Sequence, residues 1–164
     1  MTRQLDLTAS RTYPMLPGPL FGALLPLPLP RLFAHGYGPI PAVGSVSGQT
    51  GDWGSAGQTR RIHLRGAGTM REVLREVAAP VDDQSGGSFA YELGELTGPL
   101  GVLADRIYGS WKVEPVGSGS RVTWRWTVSP RSSPAEAVLP ALGPMWRGYA
   151  RRALGELEIL LLPR

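Results

Sequence analysis

The stretch S-P-A-E-A-V-L-P-A-L-G-P-M-W-R-G-Y-A-R-R-A-L-G-E-L-E-I-L-L-L, residues 133–162, carries the only long helical pattern in the chain. Val138, Leu142, Met145, Tyr149, Ala153, Leu157 and Leu160 recur in steps of three and four, which stacks them on one face of a helix. Arg147, Arg151, Arg152, Glu156 and Glu158 lie mostly off that stripe and form the wet side. Ser133 is placed to cap the helix, Pro134 suits its first position, and Glu136 completes a capping box. Pro140 and Pro144 interrupt the ladder, which predicts kinked opening turns before a straight run from Met145 to Leu162 of roughly 27 Å.

Around this helix the sequence supplies strands. Arg3 to Thr12 alternates Leu5, Leu7 and Ala9 with polar residues, a half-buried opening strand. Ala42–Gln49, Gln58–Arg65, Thr69–Val77, Ser88–Leu96, Ile107–Val116 and Arg121–Val128 read the same way. Hairpin connections fall at Gly66-Ala67-Gly68 and Gly117-Ser118-Gly119-Ser120, a loop at Gly51-Asp52-Trp53-Gly54, and an apolar loop with one helical turn at Gly98–Arg106. Tyr13 to Pro41 holds eight prolines in twenty-nine residues, leaving room only for short helices at Leu20–Leu25 and Arg31–His35. Strand, broken short helices, a run of strands and one long helix make an α+β layout on an antiparallel sheet.

Composition narrows the function classes. A chain of 164 residues is read as a single domain, residues 1–164, and 42% hydrophobic with 18% charged residues is a globular balance. There is no cysteine, which excludes disulfides and thiolate metal sites. The net charge of +4 comes from sixteen Arg and one Lys scattered among acids, with no basic stripe interleaved with stacking aromatics, so nucleic acid is not an expected partner. The apolar run Met15–Leu29 is broken by Pro17, Pro19, Pro26 and Pro28 and is too short to span a bilayer; stable membrane insertion is not expected and the cytoplasm is the default location.

Candidate site residues come from strand parity. In the last hairpin, closing through a four-residue loop sets Trp111 opposite Trp126, Val113 opposite Trp124 and Pro115 opposite Val122. The three Trp then share the face that meets the long helix, where Met145 and Tyr149 lie; this is either core packing or a concave apolar lining. In the first hairpin Arg60 shares a face with Ile62 and Leu64, and Glu72 with Met70 and Leu74. An Arg and a Glu on an inner face must pair. They are a structural ion pair, or Arg60, aided by Tyr91, offers donors to a carbonyl or carboxylate of a bound molecule. His63 falls on the outer face. His35, beside Tyr37 at the end of the Pro-rich stretch, is placed to line an entrance. No metal set, phosphate loop, dinucleotide fingerprint or nucleophile elbow occurs, so neither metal nor cofactor is expected.

The strings G-D-W-G-S-A-G-Q-T-R-R-I-H-L (51–64), T-M-R-E-V-L (69–74), F-A-Y-E-L (89–93) and G-S-W-K-V-E-P-V-G-S-G-S-R-V-T-W-R-W (109–126), with the terminal helix, resemble the polyketide cyclase/dehydrase and lipid-transport branch of the START-like (SRPBCC) superfamily. The resemblance covers the chain from about Ala42 to its end. It implies a helix-grip fold: a curved seven-stranded antiparallel sheet around the long C-terminal helix, two short helices after strand one, and a cavity between. Members bind hydrophobic small molecules such as lipids, polyketides, sterols and hormones, and some catalyse cyclisation or dehydration. Carried onto this chain, the cavity wall would include Arg60, Glu72, Phe89, Tyr91, Trp111, Trp124, Trp126, Met145 and Tyr149. The stretch Tyr13–Pro41 departs from the family, which has two compact helices there.

Three readings follow. The first is a binding protein for a hydrophobic or aromatic small molecule, a monomer or weak homodimer. The second is a polyketide cyclase or dehydratase, with Arg60 polarising a carbonyl while Tyr91, Glu72 or His35 moves protons. The third is a closed core in which the Trp fill the interior.

Overall fold

The computed structural model describes residues 3–66 and 68–162. Along the chain come β1 (Leu5–Tyr13), α1 (Pro17–Leu24), α2 (Leu29–Leu32), β2 (Val43–Ser47), β3 (Thr59–Leu64), β4 (Thr69–Ala78) and β5 (Gly87–Gly94). Then follow α3 (Pro99–Leu103), β6 (Ala104–Val116), β7 (Gly119–Pro130), α4 (Ser133–Val138), a 3₁₀ turn (Leu139–Ala141) and α5 (Leu142–Leu161). The seven strands form one antiparallel sheet in the order β1-β7-β6-β5-β4-β3-β2. Register shifts at Val43/Ser45, Leu74/Glu76 and Ala104/Arg106 insert bulges, which bend strands and raise their twist. The sheet curves over α5 in the helix-grip arrangement. No helix among the described residues is long and apolar enough to cross a membrane.

The C-terminal helical region is kinked as its prolines predict. Pro140 falls in the 3₁₀ turn and Pro144 in the first turn of α5, where a missing N–H breaks no ladder bond. The cap differs from expectation by one residue. Ser132, not Ser133, is the N-cap, its Oγ accepting the Ala135 N–H at 3.2 Å. Glu136 closes no capping box; its carboxylate accepts the Arg3 backbone N–H at 2.7 Å. The buried stripe differs from expectation at some positions. Val138, left on α4, is 54% exposed, and Met145 is only half-buried. Leu142, Tyr149, Ala153 and Leu157 of the expected stripe are buried, and Trp146, Ala150 and Leu154 join them.

The Pro-rich stretch folds with its prolines as initiators. Pro17 opens α1 and Pro30 sits in the first turn of α2, so both helices start earlier than the breaker reading of proline placed them. Leu20, Phe21, Leu24, Leu32 and Phe33 are buried. Residues 99–103, expected as a loop with one turn, form α3, again with proline at its start, and β6 begins at once after it.

The last hairpin closes through a tighter turn than expected. Val116 pairs with Gly119 around Gly117-Ser118, and Gly117 adopts a left-handed φ of 57°. The register is therefore two residues off the expectation: Trp111 faces Trp124, Val113 faces Val122, and Pro115 faces Ser120. A slip of two keeps every side chain on its face, so the inward Trp set survives. In the first hairpin Arg60 lies directly opposite Glu72. The expected connection Gly66-Ala67-Gly68 includes Ala67, which lies outside the described residues.

β1 reaches across the chain's whole length for its partner. Its one neighbour in the sheet is β7, Leu5 pairing with Val128 and Tyr13 with Ser120. The Tyr13 hydroxyl donates to the Leu154 carbonyl at 2.6 Å, tying this strand to α5 as well, and burial raises the phenol's pKa well above its usual range.

Candidate functional site

Inward-facing aromatics from three elements meet under α5. Trp124 of β7 is the hub. It stacks on Trp111 of β6 (centroids 5.0 Å apart, planes at 8°), meets Trp126 edge-on (5.7 Å, 75°) and touches Trp146 of α5 (4.8 Å). Phe33, just after α2, stacks on Tyr149 of α5 at 5.6 Å and leans on Trp124. Each such pair adds about 0.5–1.5 kcal/mol beyond its buried area.

Tyr91 links this cluster through hydrogen bonds. It stands on β5, paired with Gly109 on β6, which in turn pairs with Trp126 on β7. Because residue 109 has no side chain, the phenol ring lies across β6 and reaches β7; a Cβ at Gly109 would fall inside the ring. The Tyr91 oxygen accepts Trp124 Nε1–H at 2.8 Å and Trp126 Nε1–H at 3.1 Å. Burial, aided by the charge of Glu72, raises the phenol's pKa above its usual range, so it stays protonated at any working pH.

The polar end of the interior is the pair Arg60–Glu72, each side chain 5% exposed, with Nε donating to Oε1 at 2.6 Å. Arg60 Nη1 also donates to Gln49 Oε1 at 3.5 Å, and the guanidinium lies 3.7 Å from the centre of the Trp53 ring. Trp53 holds a left-handed φ of 62°, a conformation that costs a non-glycine residue roughly 1–2 kcal/mol. Its indole is buried against the charge it covers. Burial pushes the Glu72 carboxyl up from its ordinary value, against the pull of Arg60.

Between these groups lies a cavity of about 150 Å³. Arg60, Glu72, Phe89, Tyr91, Trp111, Trp124, Trp126 and Tyr149 all line it, as does Leu142 of α5. Met145 does not; it is only half-buried, and the neighbouring Trp146 is buried. Half-buried aliphatic side chains complete the lining: Leu25, Leu27 and Leu29 from the Pro-rich stretch, and Leu100 and Leu103 of α3. His35 is not brought to the cavity. It is 60% exposed on the outside, 3.8 Å from Glu156, in a surface groove with Arg152. Its neighbour Tyr37 packs over Gly148, beneath the Arg152 guanidinium.

Several contributors escaped the sequence reading. Gly109 interrupts an otherwise large-residue strand face, a mark of close approach by another group. Trp146 lies four residues after Leu142 and three before Tyr149, while Met145 lies three after and four before, so helical spacing alone does not choose between them. Trp53 and Gln49 sit in a loop, and no periodicity points to them.

A family model described as polyketide cyclase / dehydrase and lipid transport matches residues 35–161. No curated protein matches the chain in sequence. Solved structures share its fold at low identity. Norcoclaurine synthase from Thalictrum flavum superposes with a TM-score of 0.68 at 13% identity, covering 99% of this chain and 96% of that one. Major latex-like protein 151 from Panax ginseng gives 0.64 at 14%, covering 98% and 99%. The protein XoxI from Bacillus cereus gives 0.64 at 17%, covering 96% of each.

Proposed function

The chain belongs to the polyketide cyclase / dehydrase and lipid transport family, and we propose that it binds a hydrophobic or aromatic small molecule between its sheet and C-terminal helix. One observation carries this reading: a cavity of about 150 Å³ walled mostly by aliphatic and aromatic side chains, with Arg60, Glu72 and Tyr91 on neighbouring strands among its few polar groups. An apolar cavity of that size is able to take a benzene-sized guest. The volume also argues against a closed core, since stacked Trp rings have left a void that costs stability unless something occupies it. The protein would work in the cytoplasm as a monomer or weak homodimer, with a hydrophobic small molecule as its partner.

Native mass spectrometry of the purified protein tests the proposal, backed by titration with ethylbenzene followed through Trp fluorescence. A co-purified small mass, or a saturable fluorescence change, is the expected result. Neither one appearing overturns it.

A second reading, a cyclase or dehydratase using the same cavity, is favoured by Glu72. A carboxyl held above its ordinary pKa beside Arg60 and Tyr91 is a proton carrier at the edge of an apolar space. Under this reading Glu72→Gln abolishes turnover of a polyketide-like substrate while leaving its binding in place. Unchanged turnover removes Glu72 from the chemistry.

A further inference from the structure

A phenol oxygen has two acceptor sites and one hydrogen to donate. In Tyr91 both acceptor sites are taken, by the indole N–H groups of Trp124 and Trp126. The hydroxyl hydrogen is therefore directed away from the indoles, and it meets no acceptor among the described residues. Tyr91 is 5% exposed and lines the cavity. A buried donor without a partner is unfavourable, and the cavity is where a partner has room to sit.

The charges nearby narrow the kind of partner. Glu72 and Tyr91 stand on adjacent strands, diagonal across the register because Glu72 pairs with Leu93. Arg60 already neutralises Glu72 at 2.6 Å, so this wall carries no net charge. A carboxylate entering here would approach Glu72 with its counter-charge already engaged, in a medium where like charges repel strongly. A cation would meet Arg60 on the same terms. A pure hydrocarbon would fit the space but leave the Tyr91 hydrogen unmatched.

We propose that the cavity selects a neutral, ring-sized molecule bearing an oxygen acceptor, a carbonyl or hydroxyl, that receives the Tyr91 hydroxyl hydrogen. Tyr91 is thus the specificity-determining donor, and Arg60–Glu72 is a charge-neutral wall that excludes ions. This rests on the cavity's being a binding site, as proposed above.

Calorimetric titration of the full chain with acetophenone, ethylbenzene and benzoate tests it. Acetophenone is expected to bind about tenfold more tightly than ethylbenzene, the scale of one hydrogen bond, and benzoate not measurably. Tyr91→Phe is expected to bring acetophenone down to the ethylbenzene level. Because that variant leaves two buried indole N–H groups without an acceptor, a second readout uses the unaltered protein. Isotope-edited infrared spectroscopy of carbonyl-labelled acetophenone is expected to show its stretch at lower wavenumber when bound than in alkane. Ethylbenzene binding as well as acetophenone, with an unshifted carbonyl, overturns the donor role and leaves the binding reading intact. Tight benzoate binding overturns the neutral-wall argument. If none of the three binds, the binding reading falls and takes this inference with it.

Discussion

Tyr91 lies flat on the backbone of Gly109, and only the missing side chain on β6 lets its hydroxyl reach the indoles of β7. Gly109→Ala pushes the ring away and strips the acceptor from Trp124 and Trp126. With each of the two stranded buried donors costing about 1–3 kcal/mol, the expected loss of unfolding free energy is about 2–6 kcal/mol. Gly94, in the neighbouring strand, has nothing within 4 Å of where a Cβ would stand. Gly94→Ala is the control, expected within about 0.5 kcal/mol of the parent. Urea denaturation of both variants is the measurement, and equal effects would remove the special role of residue 109.

The buried ion pair predicts a non-additive mutant cycle. Arg60→Met alone, or Glu72→Leu alone, leaves an uncompensated charge and is expected to cost about 3–5 kcal/mol. The double variant, with apolar groups on both strands, is expected to recover most of that loss. Additive losses in the cycle would mean that the two side chains act independently despite their 2.6 Å contact.

Glu72 also gives stability a pH dependence whose sign is fixed by the direction of its shift. Its native pKa lies above the unfolded value near 4.5, so the folded state holds the proton more tightly than the unfolded chain. The stabilisation is complete below that unfolded value and is lost as pH rises through the native pKa. Stability of the parent minus that of Glu72→Gln should therefore fall with rising pH across this window. A difference that rises instead would show the carboxylate to be the favoured form in the fold.

Two neighbouring indoles should respond differently to the same change. Trp124 donates to Tyr91, whereas Trp146 Nε1 is buried with no partner among the described residues. Each Trp→Phe replacement loses part of a ring, but only Trp124→Phe also loses a hydrogen bond. Trp124→Phe is expected to be the more destabilising by about 1 kcal/mol in thermal or chemical unfolding.

The start of α4 is tested by two adjacent serines. Ser132→Ala removes the side-chain acceptor for the Ala135 N–H and should cost about 1 kcal/mol. Ser133→Ala, one residue inside the helix, should be neutral or slightly stabilising, because alanine is the better helix former. The reverse order would return the cap to Ser133.

Parity makes most of the interior legible in the sequence. Period-two alternation put Arg60, Glu72, Tyr91, Trp111, Trp124 and Trp126 on inward faces, and the register error of two in the last hairpin left that untouched. What parity does not carry is the tightness of a turn, so a four-residue loop predicts Trp126 opposite Trp111 where the two-residue turn places Trp124. Helical periodicity fared less well across the proline kink. It counts Val138 and Met145 into one stripe; the 3₁₀ turn at 139–141 takes Val138 out of it, and within α5 the equally well-spaced Trp146 is buried where Met145 is only half-buried. In the Pro-rich stretch the helix starts are hidden because prolines that open helices look, one at a time, like residues that end them. His35 had no periodic neighbour to fix its direction, and the fold turns it outward to Glu156.

The place of β1 in the sheet governs how the chain must come together during synthesis. Leu5 finds its strand partner in Val128, and Tyr13 finds its carbonyl acceptor in Leu154. On the ribosome this first ribbon must wait, its apolar side uncovered, until nearly everything after it has emerged. Such long-range closure is slow and exposes chains to mispairing. The nascent protein is therefore most vulnerable late in translation, when β2 to β6 can already pair and β1 still lacks β7.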